Sequence, residues 1–287
     1  MLFFSALVAG SFSLGALVAN DISPIAFTAL RFCLAALLVG AMAMAQGGMS
    51  RRSLASPWRH ALLGGLFAIY FVLMFEGLKT APPVSAAAVF TLVPLMVAGF
   101  AYLLLRQRLT ARISAALAIG GAGALWVIFR ADLSALLAFD IGRGELIYFI
   151  GCISHALYAP LVRRLNRGES PAMFGFGTFA AGAVLLLIYG WPMLWATDWS
   201  SLPPRVWVTL FYVTFFASAV TIVLLHFATL RLPSAKVMAY TYLTPSWVIV
   251  WEIMLGHGAP GVMVLGGVIL TMFALLLLLR DDDPQVS

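Results

Sequence analysis

Charge is what this sequence has least of. Its 287 residues carry 17 Lys+Arg and 11 Asp+Glu, 10% in all, where an ordinary soluble domain carries about 25%. So few charges cannot cover the surface of a soluble globule of this size. Cysteine is nearly absent too. Cys33 and Cys152 each lie inside an apolar run without a paired spacing or a His/Cys neighbour, which excludes a disulfide framework and a structural zinc site. No phosphate-binding G-x-x-x-x-G-K-[ST], no H-E-x-x-H, no G-x-S-x-G and no acidic pair at helical spacing within one apolar run occurs. The sequence therefore implies no enzyme, no cofactor and no metal, and any transport must draw on a gradient. What is present is apolar: 63% hydrophobic residues and a mean hydropathy of +1.02. That composition excludes soluble, disordered and fibrous classes and leaves a multi-pass membrane protein.

A backbone in lipid must satisfy its own hydrogen bonds, so long apolar runs read as helices. Ten runs appear, at about 2–19, 24–45, 60–78, 82–104, 111–129, 145–163, 171–195, 206–228, 234–255 and 260–279. Prolines open or precede six of them: Pro24, Pro82 with Pro83, Pro171, Pro203 with Pro204, Pro233 and Pro260. The first run lacks a basic leader and reads as a membrane helix rather than a cleaved signal. Ten spans leave no room for a soluble domain.

The net charge of +6 would point to nucleic acid in a soluble chain. Here the basic residues cluster between apolar runs, and no nucleic-acid partner is expected. Taking alternate sides, Arg51, Arg52, Arg59, Arg106, Arg108, Arg112, Arg163, Arg164, Arg167, Arg231, Lys236 and Arg280 fall together, against Lys79, Arg130, Arg143 and Arg205. The richer side is the cytoplasmic one. Both termini are then cytoplasmic, in an inner membrane whose lipid bilayer is the chain's main partner.

The sequence also repeats itself. Residues 75–95 match 226–246 at an offset of 151, so that Pro82 meets Pro233 and Pro94 meets Pro245. Gly120-Gly121 and Gly266-Gly267 follow on the same kind of face. An odd number of helices per copy inverts the second copy in the membrane, a design in which the binding site lies at the repeat interface. The expected fold is an all-α polytopic membrane protein of ten transmembrane helices in two inverted five-helix repeats. The units are 1–130, a connecting loop 131–143 outside the cytoplasm, 144–280 and an acidic cytoplasmic tail 281–287.

These residues resemble a known family. Leu30-Arg31-Phe32 followed by Ala35-Ala36-Leu37, and Ala156-Leu157-Tyr158 followed by Leu161-Val162-Arg163-Arg164, are similar to the EamA-type members of the drug/metabolite transporter superfamily. The proline after a short Leu/Thr stretch in the fourth and ninth runs fits as well. Within that superfamily the chain looks most like YddG-type exporters of (aromatic) amino acids. It departs from the usual pattern at the missing first-helix tryptophan, at His155 where an aromatic is common, and at Gln107 and His257 where an acidic residue often stands. The resemblance implies a ten-helix metabolite exporter that does not hydrolyse ATP.

Polar groups at membrane depth are the functional candidates, because they are costly there. Tyr148, Gly151, His155 and Tyr158 fall at i, i+3, i+7 and i+10 on one face of the sixth run, which points them into the bundle. His155 sits near the midplane, as a substrate contact or a proton-coupling group. In the ninth run Tyr240, Thr244 and Trp247 lie near Pro245, whose missing N–H frees a carbonyl. Aromatic faces suit amino acids, especially large apolar ones. Glu76, His226 and Glu252 lie nearer the mouths and are candidates for gating or proton coupling. Arg31 reads as snorkelling to the outer surface or bonding loop carbonyls. The resulting expectation is a secondary-active exporter of small amphipathic metabolites, foremost amino acids, working by alternating access. Other substrates of the superfamily, nucleotide sugars or cationic drugs, remain open at this point, as does a membrane enzyme acting on a lipid or prenyl substrate. Oligomeric state is not legible.

Overall fold

The computed structural model describes residues 1–46, 56–107, 110–138, 141–232 and 234–279. The expectations that fell on Arg51, Arg52, Arg108, Pro233, Arg280 and the tail 281–287 lie outside the described residues, as does part of the connecting loop. The described residues are helical and contain no strand. The helices are α1 (Leu2–Val18), α2 (Pro24–Ala45), α3 (Trp58–Gly77), α4 (Pro83–Phe90), α5 (Val93–Leu105), α6 (Ala111–Ile128), α7 (Leu133–Ala138), α8 (Arg143–Leu165), α9 (Pro171–Tyr189), α10 (Trp191–Ala196), α11 (Pro204–Thr214), α12 (Thr221–Thr229), α13 (Ser234–Ala239), α14 (Thr244–Met254) and α15 (Val262–Leu279). A π-helical turn, Phe215–Val220, joins α11 to α12, and a 3-10 turn, Tyr240–Leu243, joins α13 to α14.

Eight helical stretches among the described residues are long and apolar enough to cross a membrane: Pro24–Ala45, Trp58–Gly77, Pro83–Leu105, Ala111–Ile128, Arg143–Leu165, Pro171–Tyr189, Pro204–Thr229 and Val262–Leu279. The first expected span is present as a shorter apolar helix of 17 residues, α1. The ninth is present in three pieces.

The interruptions have local causes. Pro94 occupies the first turn of α5 and Pro245 that of α14; neither offers an N–H to the preceding turn, so the ladder restarts. Threonines take up the slack: Thr91 Oγ1 donates to the Ala88 carbonyl at 2.6 Å and Thr241 Oγ1 to that of Met238 at 2.7 Å. The seventh run is shorter than the sequence implied. It stops at Tyr189, and Gly190 leads into the separate α10, which carries Pro192 in its first turn. The connecting loop is also not all loop. Asp132 accepts from the Ser134 hydroxyl at 2.6 Å and from the Ser134 and Ala135 amides, which starts α7. Those bonds hold its carboxyl below the usual range.

Close packing comes from glycine. Cβ atoms on Gly64 or Gly182 would meet each other's backbone, as would Cβ atoms on Gly77 and Gly144 and on Gly123 and Gly267. These pairs bring α3 against α9, α3 against α8 and α6 against α15. The last contact uses Gly123, whereas Gly120 faces Tyr242.

Polar ties collect at the two ends of the bundle. At one end Arg59 donates to the Leu165 carbonyl at 2.6 Å and to Glu169 at 2.7 Å, and Arg167 donates to Ser56 at 3.2 Å. Burial raises the pKa of Glu169, but the bonds from Arg59 and the Arg167 amide outweigh it and hold the carboxyl below its ordinary value. At the other end Arg205 grips Asp21 at 2.6 and 2.8 Å, Asn20 reaches the Lys79 carbonyl, and Trp126 Nε1 donates to the Met263 carbonyl at 2.9 Å.

Candidate functional site

Six elements converge on one cavity. α3 contributes Phe67, Tyr70, Phe71 and Met74, and α1 contributes Phe4, Val8 and Ser11. Both sets follow helical spacing, so each helix presents one face. α12 adds Thr221, Ile222 and Leu225, the π turn adds Ala217, α4 adds Phe90 and α8 adds His155. The wall is aromatic and aliphatic with few polar groups, the usual make-up of a small-molecule site.

His155 is the chemical centre. Its side chain is 3% exposed, and neither ring nitrogen has a hydrogen-bond partner. The imidazole is held by rings instead: Tyr70 at 4.4 Å between centroids, Phe90 at 5.6 Å, Phe67 at 5.8 Å and Tyr158 at 6.0 Å. A buried polar group left without a partner costs about 1–3 kcal/mol. Such a cost persists where an absent group makes the bond.

The neighbouring polar groups are satisfied. The hydroxyls of Tyr70 and Tyr148 lie 3.0 Å apart. His226, fully buried, lies 3.3 Å from the Pro171 carbonyl through Nδ1 and 2.6 Å from the Tyr158 hydroxyl through Nε2. A carbonyl only accepts, so the geometry assigns the proton to Nδ1, and the Tyr158 O–H donates to Nε2. The His155 ring is thus unlike its neighbours in having nothing to bind.

Of the six residues the sequence proposed for a cavity, His155 lines this one. Tyr148 and Tyr158 stand behind the lining, stacked on its rings. Tyr240, Thr244 and Trp247 are not brought to it. The 3-10 turn at Tyr240–Leu243 interrupts the helix that carries them, and Trp247 points outward at 38% exposure. Among the proposed gating groups, Glu76 pairs with Lys79 at 2.8 Å and Glu252 with His257 at 2.8 Å. His226 is buried and belongs to the Tyr158 pair.

Arg31 is a correction. It neither snorkels nor reaches a loop: it is fully buried, and Nε donates to Ser218 Oγ at 2.7 Å while Nη2 donates to the Ala217 carbonyl at 3.0 Å. Both acceptors belong to the π turn, which the sequence did not reveal. Its Cζ lies 3.7 Å above the Phe71 ring centre. The α3 face was also missed, although a signal existed: Tyr70, Phe71 and Met74 stand at the repeat offset of 151 from Thr221, Ile222 and Leu225.

Comparisons with known proteins add the following. The model of the EamA-like transporter family matches residues 1–129 and again 142–280. A Bacillus subtilis (strain 168) protein called uncharacterized transporter YyaM is 28% identical over 220 residues, 76% of this chain and 72% of that protein. A solved structure described only as a crystal structure of protein superposes with a TM-score of 0.73 at 20% identity, covering 96% of this chain and 95% of that one. At that identity the likeness concerns the fold.

Proposed function

Since the chain belongs to the EamA-like transporter family, we propose that it is a secondary-active exporter of small amphipathic metabolites, foremost large apolar amino acids, and that the His155 cavity is its substrate site. The observation that carries this reading is the pair of unpartnered nitrogens on His155, set among aromatic rings in a cavity. Flat rings suit an apolar or aromatic side chain, and the imidazole offers a hydrogen bond to the polar end of such a substrate. The narrower likeness to aromatic amino acid exporters fits this lining.

We read the bundle as ten spans in two inverted halves that rock about this cavity. The 17 residues of α1 rise about 26 Å, within the range that crosses a bilayer. The split stretch Ser234–Met254 is the second addition to the eight continuous spans, and discontinuous helices are frequent at transporter sites. Two stretches matching one family model support the repeat. So does the packing: α2 lies against α9 and α6 against α15, each a helix against its own counterpart. Under the same pairing, α3 on α8 corresponds to α11 and α12 on α1. The Tyr70/Thr221, Phe71/Ile222 and Met74/Leu225 correspondence supports a cavity near the axis relating the halves, where alternating access needs it.

The ends carry the orientation. The Arg59, Arg164 and Arg167 end is the basic one and, by the positive-inside rule, cytoplasmic. Towards the opposite end Ser85 donates to Glu145 at 2.8 Å and Gly77 packs against Gly144.

A counterflow screen tests the substrate class. Purified protein in liposomes preloaded with unlabelled compound is offered labelled L-phenylalanine, with preloads of amino acids, nucleotide sugars and cationic drugs. Uptake is expected to accelerate with apolar and aromatic amino acids inside. No acceleration by any amino acid, or acceleration of nucleotide-sugar or drug exchange in its place, refutes the reading.

A further inference from the structure

Arg31 holds more charge than its visible partners use. Two neutral oxygens and one ring face surround the guanidinium, and Nη1 has no hydrogen-bond partner. Among the described residues no carboxylate pairs with it; the ion pairs found there involve Arg59, Lys79, Arg205 and His257. A buried cation without an anion is expensive, and bonding a π turn does not require one, since a neutral amide donates as well. Of the three groups that hold the guanidinium, Phe71 and Ala217 are also walls of the cavity. The unused Nη1 therefore belongs to a cation seated directly behind the cavity lining.

We propose that Arg31 is the residue that selects a carboxylate: the acid group of the substrate takes the free Nη1, and the Phe71 ring turns off the guanidinium to admit it. The inference rests on the cavity being the substrate site. Guanidinium suits this task because its planar fork meets carboxylates in a fixed geometry. His155, stacked on Tyr70 in the same cavity wall, is left for the remaining polar end of the molecule. Phe71 then has a double role, covering the charge when the site is empty and uncovering it when the site fills.

The test compares L-phenylalanine with L-phenylalaninamide, which differ in the carboxylate alone. The readout is the concentration of each giving half-maximal thermal stabilisation of the purified protein in detergent. Wild type is expected to require at least about tenfold more amide, the factor that one charge-assisted hydrogen bond supplies. Arg31→Gln, which still donates to the π turn, is expected to bring the ratio to about one while leaving the amide's own value unchanged. Ser218→Ala removes one Arg31 contact but no charge, and is expected to keep the preference. A purely structural Arg31 would weaken both ligands together, and in both variants. If Arg31→Gln does not fold, Arg31→Lys keeps the charge without the fork and is expected to give an intermediate ratio. A wild-type ratio of one, or a preference that survives Arg31→Gln or is unchanged in Arg31→Lys, overturns the inference while the amino acid reading stands. Stabilisation by neither compound overturns both.

Discussion

His155→Phe is expected to slow counterflow by about tenfold or more and, at the same time, to make the protein more stable. The two effects share one cause. In the empty protein the imidazole nitrogens are buried without partners, so replacing them with ring carbons removes a desolvation penalty of about 1–3 kcal/mol. Phenylalanine preserves the stacking on Tyr70, Phe67 and Phe90. The bond to substrate is lost, which is expected to slow exchange by about tenfold or more. Stability rising as activity falls is the signature of a site kept strained for function. Melting temperature in detergent and counterflow on the same preparation read both. Trp247→Ala, on the outward-facing side of α14, is expected to leave exchange unchanged. Full exchange by His155→Phe would show that the imidazole serves no substrate.

Gly64→Val is expected to prevent assembly altogether. A Cβ at Gly64 would stand 2.5 Å from the Gly182 nitrogen and 2.6 Å from the Thr178 carbonyl oxygen, both backbone atoms of α9. Neither can swing away as a side chain would, so α3 and α9 must separate. α3 carries four residues of the cavity wall, and the separation dismantles the site with the core. The expected loss is above about 4 kcal/mol, the range reserved for severe steric defects. Gly99→Ala serves as the comparison, since nothing lies within 4 Å of its Cβ position; it is expected to change stability by no more than about 0.5 kcal/mol. Yield and monodispersity on gel filtration measure both. A monodisperse Gly64→Val protein would mean that the helices are further apart than described.

Much of this architecture is readable from hydropathy and proline. The apolar runs and the shared face of Tyr148, His155 and Tyr158 follow from residue type and spacing, whereas the interruptions beside Pro94 and Pro245 lie within runs that hydropathy alone reads as continuous. What failed to show has a physical reason. In water, one polar face tells which side of a helix looks out; in lipid both sides are apolar, and that signal vanishes. Leu37 faces out at 70% exposure while Phe32 of the same helix is buried, and nothing in their hydrophobicity separates them. The α3 stripe that walls the cavity leaves no mark in hydropathy for this reason, and only the repeat offset points to it. Trp247 was expected near the site because the ninth run reads as one helix, whereas the chain passes through a 3-10 turn at Tyr240–Leu243. Arg31 was misread because its partners are carbonyl and hydroxyl oxygens freed by a π turn 186 and 187 residues away, which no local pattern announces.

The claim on which all else depends is that substrate enters the cavity between α1, α3, α8 and α12. Ser11→Cys, a near-isosteric change in the α1 wall, in a chain also carrying Cys33→Ser and Cys152→Ser, allows it to be tested directly by alkylation with a small thiol reagent in proteoliposomes. Saturating L-phenylalanine is expected to slow labelling at position 11. Labelling at the same rate with and without the amino acid would contradict the account.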